Sequence, residues 1–343
     1  MRSFCLRCLL FLSPLLVLVV LYFVCDPFRV LYPHVEDGSS WIVVRNKDVY
    51  STQRYIAGRA EHHYDAFIFG SSRTLAYRVK DWRTHLPADR HPFVFDAHGE
   101  SLYGIDAKVR YIDRAGDPLR DALVVIEPRT TFAPMRNKTE QMNIKHPALT
   151  GESRLAFHKV FIRAWFTKLF FWKYLDYQLF HVHRPYMDDL LTFSGNNAFD
   201  PVTAERLMPI EEEIVRDPDA YYARRAKDFY ARDTTVQHYA PRSIKPEHEA
   251  ALREIRRVFA AKGTDFRIII SPTYDQLAID RNDLALLQAI FGADRVFDRS
   301  GINDITRDKR NYIESSHYRF HVGRRILNEI YGPAPPTTND SVP

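Results

Sequence analysis

Short apolar runs alternate along most of this chain with stretches whose apolar residues recur at helical spacing. The runs at 65–70, 92–97 (PFVFDA), 122–128 (ALVVIEP), 265–272 (DFRIIISP) and 295–298 (RVFD) read as strands, and WIVVRN (41–46) as an edge strand. The stretches 73–84, 102–114, 246–262, 277–291 and 322–331 read as helices. Strands that are apolar throughout are covered on both faces, so the pattern predicts a parallel sheet with helices on either side. In such sheets ligands bind at the carboxyl ends of the strands.

Two regions depart from this alternation. LLFLSPLLVLVVLYFVC (9–25) carries no charge and follows Arg2 and Arg7. It has the length of a short spanning helix and no small-x-small cleavage site after it. It therefore reads as an uncleaved signal anchor, one N-terminal transmembrane helix with its N-terminus in the cytoplasm and the remainder of the chain outside. Between about 130 and 245 the alternation stops, for longer than a structureless loop in a compact domain. This region reads as a helical insertion. Its stretch 157–180 is crowded with aromatics at helical spacing, over more than half the helix circumference. A buried helix is the first reading. A lid over a site, or a face lying on a membrane or a partner, are the others, and Lys159, Arg163, Lys168 and Lys173 keep the membrane in view. The expected organisation is an anchor (1–26), a juxtamembrane stem (27–64), an α/β domain (65–332) carrying the insertion, and a disordered tail (333–343).

Composition narrows the classes. The chain has 343 residues, 45% hydrophobic and 27% charged, enough for a substantial core. The net charge of +5 is not gathered into a Lys/Arg run, so no nucleic-acid partner is expected. Cys5, Cys8 and Cys25 all lie in or beside the N-terminal apolar stretch. The rest of the chain thus has no disulfide, no thiolate metal site and no cysteine nucleophile, which suits an oxidising compartment. His62-His63 and His181-x-His183 lack a third ligand at a recognisable spacing, so no metal and no cofactor are expected. Asn137-Lys138-Thr139 fits a glycosylation acceptor, relevant only in a eukaryotic secretory route.

The candidate chemistry sits at the two ends of the alternation. Gly70-Ser71-Ser72 closes the first core strand, where a serine is either a nucleophile or a helix cap. Near the other end, YIESSHYRF holds Glu314 and His317 three residues apart. On a helix-like turn such a pair faces one way. A carboxylate that orients an imidazole makes it a general base for a serine. The pairing requires Ser72 Oγ and His317 Nε2 to lie about 3–4 Å apart. Asp298, Asp304 and Asp308 are the alternative carboxylates for His317.

These residues resemble the SGNH (GDSL-type) hydrolase superfamily. The closer likeness is to membrane-anchored bacterial members with GSSR and SHY signatures, similar to alginate O-acetylation proteins and to the D-alanine transfer protein of teichoic acids. It spans roughly 65–130 and 264–331. The resemblance implies a three-layer α/β/α flavodoxin-like parallel sheet. It implies Ser72 as nucleophile, its backbone N–H as one oxyanion donor, His317 as base, and Glu314 in place of the usual Asp. It implies a second donor at Gly99, with Ser101 as the other possibility. The family's third block presents an Asn where VVIEPRT offers Glu127 and Arg129; His98 and Arg129 are the candidates to replace it. The activity implied is that of a serine esterase or O-acyltransferase acting on a cell-envelope polysaccharide, held in the bacterial inner membrane and facing the periplasm. A multi-spanning membrane acyltransferase is the implied acyl donor. The alternative left open is a non-catalytic envelope glycan assembly or binding protein with a degenerate form of the same fold.

Overall fold

Apolar runs distant in sequence pair side by side in the computed structural model, which describes residues 2–32, 41–134, 140–193 and 198–332. The expected tail (333–343) and Asn137 lie outside the described residues. In chain order the described strands are β1 (Trp41–Val43), β2 (Ala66–Gly70), β3 (Pro92–Val94), β4 (Asp121–Ile126), β5 (Leu191–Phe193), β6 (His238–Tyr239), β7 (Asp265–Ile270), β8 (Leu277–Ala278), β9 (Val296–Asp298), β10 (Tyr312–Glu314) and β11 (His317–Tyr318).

The chain divides into two compact units, one of Met1–Tyr50 with Lys138–Ala198 and one of Ser51–Asn137 with Phe199–Pro343. The expected stem (27–64) and insertion (about 130–245) are each divided between the two units. Residues 138–198 group with the N-terminal segment, and 199–245 group with the sheet.

In the second unit β2, β3, β4, β7 and β9 form one sheet, every neighbouring pair parallel, in the order β3-β2-β4-β7-β9. Counted along the chain this is 2-1-3-4-5, a doubly wound order whose direction reverses between β2 and β4. Both faces are buried because successive side chains point to opposite sides. Ala66, Ile68, Leu123, Val125 and Ile269 pack with Trp82, Ile326 and Leu327 on one face. On the other, Phe67 packs with Tyr55, which also meets Phe93, Phe95 and Tyr111. Phe259 of the helix Pro246–Lys262 meets Phe266 at a tilt on that side. The architecture is α/β with a parallel sheet, compatible with three layers.

Two expected helices are differently built. The stretch 73–84 is a 3₁₀ turn (Ser72–Ala76) followed by a short helix (Val79–Arg83). The stretch 277–291 opens with β8, and its helix begins only at Arg281, where Asp280 caps two backbone N–H groups. The cap residue, rather than the apolar periodicity, sets that boundary.

The first unit contains the helix Arg2–Cys25 and the antiparallel pair β1–β5. The single helix expected over 157–180 is two, Arg154–Phe166 and Phe170–Phe180. The chain breaks at Lys168 and Leu169, whose φ angles are 51° and 56°. The break lets Trp165 meet Phe170, Phe171 and Tyr174 across the corner, so the aromatic crowding belongs to a folded pair. Tyr22, Phe28, Phe157, Phe161 and Met187 complete that core. Among the described residues no helix is long and apolar enough to cross a membrane. The stretch expected to do so lies in Arg2–Cys25, of which the side chains at 2, 3, 5, 6, 8 and 9 fall outside the described set.

In the second unit the last helix (Phe320–Tyr331) lies against the turn that follows β2. A Cβ on Gly323 would fall 2.0 Å from the carbonyl oxygen of Ala76. Gly323→Ala must therefore push helix and turn apart, and is expected to cost about 1–3 kcal/mol in urea unfolding. A loss under about 0.5 kcal/mol, the range of ordinary surface changes, would show the approach to be unimportant.

Candidate active site

The strand β2 ends on a glycine because its neighbour leaves no room. Gly70 has φ of +151°, and a Cβ there would meet the Val125 carbonyl oxygen at 2.7 Å. The two serines that follow divide the work. Ser71 is buried and caps the turn, its Oγ accepting from the Arg73 N–H at 3.5 Å. Thr74 pins the same turn, its single hydroxyl hydrogen shared between the Ser71 carbonyl at 2.9 Å and Asp96 Oδ2 at 2.7 Å. Ser72 is left partly exposed, and its Oγ lies 2.8 Å from His317 Nε2.

Glu314 and His317 are not on a helical turn. They are opposed residues of the antiparallel hairpin β10–β11, with Ser315 and Ser316 as its two-residue turn. Directly opposed strand residues bring their side chains together, which is how the i, i+3 spacing acts here. His317 Nδ1 hydrogen-bonds Glu314 Oε1. With Nδ1–H donating to the carboxylate, Nε2 is the acceptor that takes the Ser72 hydroxyl hydrogen. The second carboxylate oxygen, Oε2, accepts the Ser316 N–H at 2.6 Å. Burial works to raise the Glu314 carboxyl. The hydrogen bond from His317, its charge and the Ser316 contacts together outweigh it and hold the carboxyl below its ordinary value of 4.5.

The hairpin is braced from several sides. Tyr221 OH donates to the Ile313 carbonyl at 2.9 Å, and Tyr222 OH to the Tyr312 carbonyl at 2.7 Å. Arg319 grips Glu211 with two hydrogen bonds, at 3.0 and 2.7 Å. Tyr318, next to His317, is buried and donates to Tyr77 OH at 3.1 Å; burial pushes both phenols up.

Beside the triad lies a cavity of about 220 Å³. Arg73, Glu127 and Arg129 line one part, Tyr230 and Tyr274 another, and Ser315 and Ser316 of the hairpin turn close it. Arg73 Nη1 forms an ion pair with Glu127, and both side chains are largely buried. This pair joins the end of β2 to the end of β4, the point where the sheet order reverses. Tyr230 and Tyr274 meet edge to face at 5.1 Å.

The remaining candidates take other places. His98 and Gly99 form the turn after β3, with φ of 53° at Gly99. Ser101 is buried at the N-cap of the helix Leu102–Arg114. The same turn is held from below by Glu100, paired with Lys108, both side chains fully buried. Gly104 makes space for that pair, since a Cβ there would lie 2.0 Å from Glu100 Oε1. Arg129 is exposed on the cavity rim, 3.7 Å from Asp275. Asp298 accepts from Ser300, Asp308 caps Arg310 N–H and Asp304 pairs with Arg325, so Glu314 alone of the four carboxylates holds His317. Arg73, Glu127, Tyr230 and Tyr274 were not among the expected site residues. Tyr274 follows closely on the carboxyl end of β7, a position where a site residue is to be expected. Tyr230 lies in the irregular segment and carries no such signal.

No family model matches the chain, and no curated protein matches it.

A carboxyl held below its ordinary range adds stability that is fully present above its unfolded value and is lost as pH falls through the folded value. Wild type is thus expected to exceed Glu314→Gln in stability near neutrality, with the difference closing as pH falls below the ordinary carboxyl value of 4.5. Denaturant titrations of both proteins across that range check this. A difference that grows on acidification would contradict the assigned charge state of Glu314.

Proposed function

We propose that this protein is an SGNH-type serine esterase or O-acyltransferase that acts on a cell-envelope polysaccharide, anchored in the bacterial inner membrane by its N-terminal helix and facing the periplasm. The observation that carries this reading is the line from Ser72 Oγ through His317 to Glu314, with 2.8 Å between Oγ and Nε2. The 2-1-3-4-5 strand order, which is that of flavodoxin-like sheets, supports the superfamily reading. The anchor is supported by the uncharged run 9–25 and by the exposure of Leu10, Phe11, Val17, Val20 and Val24 on its helix.

Ser72 Oγ attacks the carbonyl carbon of an acyl donor while His317 Nε2 takes its proton. Glu314 keeps Nδ1 protonated and stabilises the imidazolium that forms. The Ser72 backbone N–H and, by the resemblance, the Gly99 N–H receive the negative charge on the carbonyl oxygen. His317 then returns the proton to the leaving oxygen, leaving an acyl ester on Ser72. A sugar hydroxyl, deprotonated by His317, resolves the ester by transfer; water resolves it by hydrolysis. A multi-spanning membrane acyltransferase is the proposed donor, and no cofactor enters the cycle. Where relatives of this type carry an Asn donor, this chain has Glu127 tied to Arg73. That substitution is the feature favouring the second reading, a non-catalytic glycan-assembly or binding protein.

Labelling of the full chain in detergent with a fluorophosphonate probe separates the two. An activated serine is labelled, Ser72→Ala removes the label, and His317→Ala slows it by about 10²–10⁴-fold. A folded wild type that takes no label would leave the binding-protein reading.

A further inference from the structure

We propose that the two helices Arg154–Phe166 and Phe170–Phe180 lie in the bilayer interface beside the N-terminal helix, so that the chain holds the membrane by a three-helix surface rather than by one span. The proposal rests on the anchored reading above. It stands on a register within the first unit. Trp165 Nε1 donates to the Leu18 carbonyl at 3.0 Å. Leu18 is in the middle of the uncharged stretch, about 10 Å short of Cys25 along the helix axis. Tyr22 OH lies 3.2 Å from His158 Nδ1, and the Tyr174 hydroxyl meets the Cys25 carbonyl at 3.4 Å. Wherever residues 18–25 enter lipid, the segments touching them sit at the same depth.

The outer side of these helices fits that environment. Leu155, Leu169, Trp172, Leu179 and Phe180 are exposed. Residues 172, 176, 179 and 180 share one side of the second helix, and Leu169 lies at the break before it. Asp176 interrupts this stripe, but its carboxylate accepts from Arg184 Nε at 2.8 Å and from the Tyr186 hydroxyl. A large exposed apolar patch marks an interaction surface. Lys159, Arg163 and Lys168 are exposed along the same elements, where long basic side chains reach anionic headgroups while their stems stay in apolar surroundings. Leu15, Leu16 and Val20 of the first helix, the element on which the two helices pack, are exposed as well, and with that helix read as the anchor the occupant is lipid.

The full chain is reconstituted into vesicles of phosphatidylethanolamine and phosphatidylglycerol with brominated acyl chains. Flotation reports the anchor; tryptophan quenching reports the two helices Arg154–Phe166 and Phe170–Phe180. Trp172 is 64% exposed, so Trp172→Phe leaves the core intact. The expected result is that wild type floats, its emission is quenched, and Trp172→Phe loses a share of the quenched emission. Leu179→Glu, with Trp172 in place, lowers that share as well. If the protein floats and Trp172→Phe leaves the quenched emission unchanged, the helix pair faces water or a protein partner and the proposal falls while the anchor stands. If wild type does not float, both fall.

Discussion

Two stretches of backbone in contact hold the site in register, with Gly323 of the last helix resting on the carbonyl of Ala76 in the turn after β2. Ser72 opens that turn, and His317 lies on the strand leading into that helix. Docking one on the other brings a nucleophile from one end of the chain to a base from the other. The hydrogen bond between Tyr318 and Tyr77 ties the two segments a second time. Both ties are buried, so the 2.8 Å separation of Oγ and Nε2 is set by packed backbone rather than by long side chains searching for each other.

The electrostatics follow from this placement. Glu314 is kept charged in a partly buried position by the groups its own hairpin offers, and a charged Glu314 fixes which imidazole nitrogen faces Ser72. Arg73 and Glu127 put a compensated pair at the sheet's point of reversal, so the cavity beside the triad carries both signs without a net excess from them. The segment 199–230 contributes nothing to the sheet order, yet Glu211, Tyr221 and Tyr222 hold the hairpin that carries the base.

The sheet was legible because its strands are apolar on both faces and end in small or breaking residues, and the helices 102–114 and 246–262 because their periodicity is uninterrupted. Ser72, His317 and Glu314 were legible as residues at the correct ends of that alternation, but their arrangement was not. A spacing of three is shared by a helical turn and a tight hairpin, and only strand pairing distinguishes them. The break at Lys168–Leu169 was hidden because neither residue is a glycine or proline, so nothing local announces a left-handed backbone. The grouping of 138–198 with the N-terminal segment was equally hidden, since it depends on contacts between residues far apart in sequence.

The buried trio under the turn after β3 has a consequence for how this sequence can drift. Glu100 and Lys108 are paired with both side chains fully buried, so losing one takes the opposite charge from the other where solvent does not reach it. A methyl group at Gly104 would push the Glu100 carboxylate aside. Glu100 and Lys108 are thus each best kept in the company of the other, and a side chain at 104 must displace the Glu100 carboxylate. Substitution one position at a time passes through an unstable intermediate, whereas joint replacement by apolar residues of similar volume does not. Descendants of this chain are expected to keep the Glu100–Lys108 pair whole or to lose it whole, and the turn bearing His98 and Gly99 inherits that history.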